Sequence, residues 1–273
     1  MKFNDKIIII LILFYYYELK LFVYNHQSNI NGINYIKNLK KVVYTILLGK
    51  YDNVHLLIKE KGYDYFMITD QKFKSKSKIN WTILDFHSKK RNKKRYKNIM
   101  DRIKRQRFYK THPHLFFKDY DLSIYVDANY DIKGNLDEFL LRVLSPNKSI
   151  YILEHPKRNS INNEFNAVLS YKKDTKNHIN IIKNIYNKEK FPDNNGLAET
   201  CIIVRKHNEF NCINFMENWS KQISKNSHRD QLSFNYILWK NKDKNVKYIS
   251  KQFSNIYFRQ YPKHLWKYWF KKK

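Results

Sequence analysis

Three oxygen-bearing side chains follow a short apolar segment near the middle of the chain. Leu122–Val126, with the sequence LSIYV, is rich in β-branched and aromatic residues, which predicts a buried strand, and Asp127, Asn129 and Asp131 come directly after it. Carboxylate and amide oxygens at the carboxyl end of such a strand suit Mg²⁺ or Mn²⁺, and such a cation suits a diphosphate. The other interpretation is that residues 127–131 form only a polar turn after a strand.

A second polar cluster stands at the start of a predicted helix. Ser227, His228, Arg229, Asp230 and Gln231 are consecutive and precede an apolar segment. Beside the positive end of a helix dipole, such side chains offer a general base or an electrostatic stabiliser. Ser227 or Asp230 is equally suited to cap the helix, so a purely structural role is also open.

Basic residues concentrate between residues 89 and 107. The spacing of the apolar residues predicts a helix from about Arg95 to Lys110. Arg107 and Lys110, close to the end of this helix, are candidates for contacts with a diphosphate. A surface for polyanions is the other interpretation of the same helix, so a basic nucleic-acid-binding protein is the alternative function.

Three apolar segments earlier in the chain predict neighbouring strands of a parallel sheet, at residues 41–48, 63–69 and 81–86. Tyr51 and Asp70 follow the first two strands, at the edge where open α/β sheets hold their ligands. Tyr51 offers a ring on which a base or a sugar can stack, and Asp70 offers an acceptor for a nucleoside. Ordinary loop positions are the alternative for both residues.

The second half of the chain continues the alternation of strands and helices. Asn135, followed three residues later by Glu138, predicts a helix N-cap, and residues 149–153 and 197–204 have the pattern of strands. Glu164 lies in a predicted helix between those strands. The whole pattern predicts one α/β domain with a mixed, mainly parallel sheet flanked by helices.

The composition is strongly basic, with a net charge of +29, yet only ten of the 53 basic residues are Arg. The lysines are spread over all segments, including the predicted strands, which favours a solvated positive surface over a dedicated nucleic-acid module. The two cysteines, Cys201 and Cys212, are too few for a disulfide framework, and no Cys/His cluster has the spacing of a zinc site. Cys201 lies in an apolar pattern typical of a buried side chain.

An apolar run, IIIILILFYYY, occupies residues 7–17 behind two lysines and lacks a small-residue cleavage site after it. It predicts an uncleaved signal anchor, helical over about residues 7–24, with the body of the protein lumenal and attached to the membrane. A buried first element of the domain is the alternative. The predicted organisation is an anchor (1–24), a linker (25–40), a catalytic domain (41–255) and an aromatic, basic tail (256–273) that is either a packed lid or a membrane-surface element.

Some of these segments carry motifs in a recognisable order. RDQLSF occupies residues 229–234, and GLAE at residues 196–199 is followed by a strand and by RKH at residues 205–207. With these motifs the chain resembles, over about residues 41–240, the glycosyltransferase-like domain of the plant turgor-regulation and mucilage-related proteins. Residues 124–140, IYVDANYDIKGNLDEFL, are also similar to the metal-binding strand of glycogenin-like glycosyltransferases of the GT-A fold.

The resemblance implies a GT-A-like domain that transfers a sugar from a nucleotide-sugar donor to a hydroxyl acceptor on a glycan, protein or lipid. In that class a D-x-D motif holds Mn²⁺ or Mg²⁺ against the donor diphosphate. The resemblance therefore implies Asp127 and Asn129 as metal ligands, with His264 as the third. Asn129 departs from the pattern, because a neutral amide holds a dication less strongly than a carboxylate does. A relative that has lost catalysis is accordingly a third interpretation.

The same resemblance implies roles for residues on the predicted helices. Asp230 matches the position of a group near the reacting sugar carbon, as catalytic base or electrostatic stabiliser. Gln231 and Glu164 are implied as supporting polar contacts.

Overall fold

The computed structural model describes residues 30–49, 58–71, 80–84 and 99–261. Within these ranges a seven-stranded sheet contains β1 (Lys41–Leu47), β2 (Tyr63–Thr69), β3 (Thr82–Leu84), β4 (Leu122–Val126), β6 (Ile150–Glu154), β7 (Ala198–Arg205) and β8 (Val246–Ile249). Its strand order is β3-β2-β1-β4-β7-β6-β8. A separate two-stranded ribbon pairs β5 (Tyr130–Ile132) with β9 (Phe258–Gln260).

Helices cover both faces of the large sheet. Residues 30–38 form the described part of α1. The other helices are α2 (Ile99–Thr111), α3 (Pro113–Phe116), α4 (Leu136–Val143), α5 (Ile161–Ser170), α6 (Lys176–Lys188), α7 (Phe210–Lys225), α8 (Gln231–Lys240) and α9 (Lys251–Tyr257). Asn135 caps α4 by accepting a hydrogen bond from the Glu138 N–H, which confirms the predicted N-cap.

The central strands are buried on both faces, as their continuous apolar sequences require. All seven residues of β1 are buried, and successive residues pack into two different clusters: Tyr44 faces the cluster with Trp219 from α7, whereas Val43 faces the cluster with Phe139 from α4. Alternation of side chains along a strand produces this division. The sheet therefore separates an α7–α8 side from an α4–α9 side.

One strand reverses direction, and this sets up the ligand edge of the sheet. β1 pairs in parallel with β2 and β4, and β6 pairs in parallel with β8, but β7 is antiparallel to both of its neighbours. The first residues of β7 consequently lie beside the carboxyl ends of β4 and β6. Loops after the parallel strands and the start of β7 meet at this edge, where open α/β sheets bind ligands.

The predicted mixed, mainly parallel sheet flanked by helices is confirmed. Residues 30–38, within the segment predicted as a linker, are helical, and Ile36 is buried in the core. The start of the predicted tail is packed, since Tyr257 and Phe258 are buried and β9 completes the ribbon. The predicted anchor at residues 7–24 lies outside the described residues, and none of the helices within those residues is long and apolar enough to cross a membrane.

Candidate functional site

The carboxyl end of β4 brings Asp127 beside the first residues of β7. The Asp127 N–H donates to the carbonyl oxygen of Cys201 at 2.8 Å, extending the antiparallel pairing of the two strands by one residue. The Tyr130 N–H donates back to Asp127 O at 2.9 Å and closes a turn. The polar turn predicted after this strand is therefore present, and it holds Asp127 at the ligand edge with a third of its side chain exposed.

Asp230 lies at the same edge and is ion-paired with the basic helix. Its Oδ2 is 2.7 Å from Lys110 Nζ and accepts the hydroxyl of Thr200 at 2.9 Å, and its Oδ1 is 3.4 Å from a terminal nitrogen of Arg107. Asp230 and Lys110 are both buried. Burial alone would raise the pKa of the Asp230 carboxyl, but the charges of Arg107, Lys110 and Arg229 outweigh it and lower the pKa well below its usual range.

Lys110 connects the two carboxylates. Its Nζ lies 3.8 Å from Asp127 Oδ1 and 4.8 Å from the centre of the Tyr125 ring. The Tyr125 hydroxyl donates to Asp127 Oδ1 and accepts the Gln106 side-chain amide at 3.0 Å. Burial, followed by the Asp127 charge, raises the pKa of Tyr125, so the phenol stays protonated and keeps donating. Asp127, Lys110 and Asp230 therefore form one continuous network.

Arg107 connects α2 to the segment that precedes α8. Its Nε donates to the backbone oxygen of His228 at 2.9 Å, and another of its nitrogens donates to Gln106 Oε1 at 2.6 Å. His228 is neutral near pH 7, because burial, with help from Arg229 and Arg107, lowers its pKa to about 4. Asp230 occupies the N-cap position of α8 but makes no side-chain cap bond. Its carboxylate instead serves the network, which favours the electrostatic interpretation over the capping one.

The turn before β7 is held by α8. Asn235 Oδ1 accepts the Ala198 N–H at 2.9 Å, and its Nδ2 donates to Asn195 O at 2.9 Å and to the Tyr248 hydroxyl at 2.8 Å. Gly196 has a φ of +74°, which a side chain rarely adopts, and a Cβ there would lie 3.1 Å from Asn235 Nδ2. Residues 196–198 of the GLAE motif, held by Asn235, therefore determine the positions of Glu199 and Thr200 at the start of β7.

The side chains of Glu199 and Thr200, which follow this turn, lie on opposite faces of β7. Thr200 joins Lys110 and Asp230 on the α7–α8 side. Glu199 lies on the α9 side, where its Oε2 is 2.7 Å from Lys251 Nζ. Lys251 also donates to the Tyr130 hydroxyl at 2.5 Å. Two separate charged groups therefore flank the start of β7.

Three other predicted residues are at this end of the fold but outside the network. Asp70 accepts the Gly49 N–H at 2.7 Å, and its other oxygen is 3.7 Å from Arg102, so it organises the first loop. Buried Glu164 pairs with Arg158 at 2.7 Å. Gln231 makes a long contact of 3.4 Å to Ala198 O. Their predicted ligand contacts stay predictions.

The predicted metal ligands are only partly described. Asp127 supplies a carboxylate, Asn129 is a buried amide, and His264 lies outside the described residues, as does Tyr51, the residue predicted to stack on a base or a sugar. The described ranges contain no group of three His, Cys, Asp or Glu side chains that could hold a metal ion. The described ligands are one carboxylate and one amide. Their oxygens suit a hard cation, but two ligands are too few for a complete metal site.

Several residues of the two charged groups had no predicted role. Gln106 and Lys251 lie outside the motifs, and Tyr125 and Thr200 fall inside apolar strand patterns. One signal was available: Thr200 and Glu199 follow Gly196 in the turn-to-strand segment that the resemblance already singled out. Their pairing with Lys110 and Lys251 depends on strand direction, which the sequence does not specify.

Comparison with known proteins places the chain in a family. Residues 29–265 match the domain described as TOD1/MUCI70, glycosyltransferase-like domain, so the chain belongs to this family. The predicted family resemblance is therefore confirmed. No curated protein matches the chain in sequence.

Solved glycosyltransferase structures are among the structural neighbours, at low identity. The bifunctional glycosyltransferase WbbM is 12% identical, with a TM-score of 0.46, and the alignment covers 78% of this chain and 39% of WbbM. The mannosyltransferase Ktr4p from S. cerevisiae is 10% identical (TM-score 0.43; 84% and 72% covered), and mouse xyloside xylosyltransferase 1 is 10% identical (TM-score 0.44; 77% and 85% covered).

Proposed function

We propose that this member of the TOD1/MUCI70 family is a glycosyltransferase of GT-A type that transfers a sugar from a nucleotide-sugar donor to a hydroxyl acceptor. The observation that supports this most is the network of Asp127, Lys110, Arg107 and Asp230 at the ligand edge of the sheet. It combines a partly exposed carboxylate with one buried and one mostly buried cation at the place where a donor diphosphate is expected.

The charges of the network match the task of holding a leaving diphosphate. Lys110 and Arg107 are fixed by Asp230, so they need no rearrangement to stabilise negative charge that develops nearby. Two cations and two carboxylates cancel, however, and a diphosphate calls for further positive charge. A divalent cation at Asp127 would supply it.

Asp230 acts in this proposal as an electrostatic stabiliser rather than as a base. Both of its oxygens have cationic partners, and its lowered pKa makes it a poor proton acceptor. Its role is to hold Lys110 and Arg107 in place and to stabilise the positive charge that develops on the sugar. Gln231 and Glu164 remain proposed as polar contacts farther from this centre, and Tyr51 and Asp70 as contacts to the nucleoside.

The proposed metal ligands are Asp127, Asn129 and His264, and a bound Mn²⁺ or Mg²⁺ would neutralise the diphosphate as it leaves. The Tyr261 N–H donates to Asn129 O at 2.8 Å. His264 is three residues farther along the chain, and three extended residues span at most about 10 Å. This short tether supports His264 as a ligand.

Membrane attachment through residues 7–24, with a lumenal catalytic domain, is part of the same proposal and is supported by the apolar N-terminal sequence. The basic polyanion-binding alternative is less well supported at the described end of the basic segment. There Arg107 points into the network with Asp230 and is mostly buried, as is Lys110.

The test is the release of nucleoside diphosphate from a panel of nucleotide-sugars, with Mn²⁺ or Mg²⁺ and with hydroxyl acceptors. We expect turnover with at least one donor, and its loss in Asp127→Ala and Asp230→Asn. Full activity in both variants would refute the site. Binding of nucleic acid that weakens steeply with salt and survives Asp127→Ala, without turnover, would favour the polyanion alternative. Donor binding without turnover would indicate a relative that has lost catalysis.

A further inference from the structure

A carboxylate and an ammonium group form a pair at the ligand edge that the proposed phosphate and metal contacts do not use. Glu199 Oε2 lies 2.7 Å from Lys251 Nζ, and the side chains are 18% and 14% exposed. Glu199 is the second residue of β7, and Lys251 is the first residue of α9. The Glu199–Lys251 pair is therefore fixed by two secondary-structure elements and still reaches solvent.

The pair has hydrogen-bonding capacity left over. An ammonium group has three donors. Lys251 donates one hydrogen bond at short distance, to the Tyr130 hydroxyl at 2.5 Å, and its 2.7 Å contact with Glu199 Oε2 is an ion pair without hydrogen-bond geometry. The sulfur of Cys201, at 4.0 Å, is a weak third partner. A carboxylate has about four acceptor sites, and within the described part of the chain Lys251 is the ion-pair partner of Glu199. One donor and several acceptor sites thus lie side by side.

The pair adjoins the proposed donor-phosphate position. Asp127 is joined through its N–H to the backbone of Cys201, two residues after Glu199 on the same strand. Tyr130 also connects the two positions, because its N–H donates to Asp127 O at 2.9 Å and its hydroxyl accepts from Lys251 at 2.5 Å. A donor whose diphosphate lies against Asp127 therefore places its sugar within reach of this part of β7.

We propose that the Glu199–Lys251 pair binds the sugar ring of the donor, with Glu199 accepting from one hydroxyl and Lys251 donating to the hydroxyl on the neighbouring carbon. This inference rests on the proposed function and adds the ligand class, a sugar with two free adjacent hydroxyls. A partly buried charged pair discriminates well, because an analogue without the hydroxyl leaves the remaining hydrogen-bonding position of the pair unfilled.

The experiment compares two ligands on the full-length protein by calorimetric titration. One is a nucleoside diphosphate alone, UDP or GDP, and the other is the matching UDP-glucose, UDP-galactose or GDP-mannose. Glu199→Gln is nearly isosteric, Lys251→Met removes the donor, and Glu209→Gln is the matched control. Glu209 is half exposed and pairs with Lys206 at 3.7 Å, far from the edge.

We expect Glu199→Gln and Lys251→Met to bind the nucleoside diphosphate within about threefold of the native protein and to bind the nucleotide-sugar about tenfold or more weakly, since hydrogen bonds to charged groups contribute on the order of 1.5–3 kcal/mol. Glu209→Gln should change neither. Unchanged nucleotide-sugar binding in both variants would overturn the inference, as would an equal loss for both ligands, which would indicate a role at the phosphate or in folding. A native protein that binds no nucleotide would refute the proposed function itself, and this inference with it.

Discussion

Lys110 Nζ lies 2.7 Å from Asp230 Oδ2, although 120 residues separate the two in the chain. Both groups are buried, so the contact is a charge pair removed from water rather than a surface salt bridge. Such a pair is stable only as a unit, because removing one partner leaves an uncompensated buried charge.

Asp230→Asn should therefore destabilise the fold, by about 3–5 kcal/mol, and abolish sugar transfer. Denaturant unfolding monitored through Trp219, whose indole N–H donates to Asp230 O at 3.1 Å, measures the first effect. The double variant Asp230→Asn with Lys110→Met should lose less stability than the sum of the single variants. If the stability losses of the two single variants simply added in the double variant, the pairing would be contradicted. Asp119→Asn, at an exposed carboxylate, is the control and should leave the free energy of unfolding unchanged.

Tyr125→Phe should weaken donor binding with a modest effect on the fold. The change removes two hydrogen bonds of the hydroxyl, one to Asp127 and one from Gln106, and each contributes about 1 kcal/mol to stability. Calorimetric affinity for a nucleoside diphosphate with Mn²⁺ reports the effect on Asp127. Tyr171→Phe, at an exposed ring, is the control. An affinity equal to that of the native protein would show that Asp127 does not depend on Tyr125.

Asn235→Ala should destabilise the turn before β7 and with it the fold. Its side chain satisfies Ala198 N, Asn195 O and the Tyr248 hydroxyl, and each buried group left without a partner costs about 1–3 kcal/mol. Transfer activity should fall as well, because Glu199 and Thr200 follow this turn. Unfolding and activity measured together test this, with the exposed helix position Asn184→Ala as control. Native stability in Asn235→Ala would exclude the anchoring role.

The fold should lose stability as the pH falls from about 6.5 to about 4. Burial chiefly, assisted by the Arg205 charge, lowers the pKa of His207 to about 4, whereas an unfolded His titrates near about 6.5. Between these values the unfolded state binds more protons, so stability is full above about pH 6.5 and falls below it, by at most about 3 kcal/mol for this residue.

His155 and His228, whose pKa values are also lowered to about 4 mainly by burial, act in the same direction. Denaturant titrations at several pH values measure how the free energy of unfolding changes with pH. His207→Gln should flatten the dependence of the free energy of unfolding on pH. A slope that is the same in His207→Gln and in the native protein would argue against a neutral buried His207.

Much of the fold was predictable because local signals agreed with it. The continuous apolar run at residues 41–48 marked a strand buried on both faces, and Asn135 with Glu138 marked the start of α4. The reversal of β7 was not predictable from its sequence, since the same apolar pattern suits either direction.

The candidate site was predictable only in part. Asp127, Arg107, Lys110 and Asp230 were each singled out, but a motif cannot distinguish a carboxylate that caps a helix from one that pairs with a distant lysine. The capping alternative for Asp230 failed for that reason. Lys251 had no signal, because a lysine at a helix start in so lysine-rich a chain is the common case, and only tertiary packing brings it to Glu199.

Calorimetric titration of UDP and GDP, with and without Mn²⁺, into the native protein and into Asp127→Ala tests the proposed donor site. We expect one saturable site in the native protein that binds at least one of the two nucleotides, more tightly with Mn²⁺, and a loss of that site in Asp127→Ala with the fold intact. Equal binding by Asp127→Ala, or no binding of either nucleotide by the native protein, would contradict the proposed donor site.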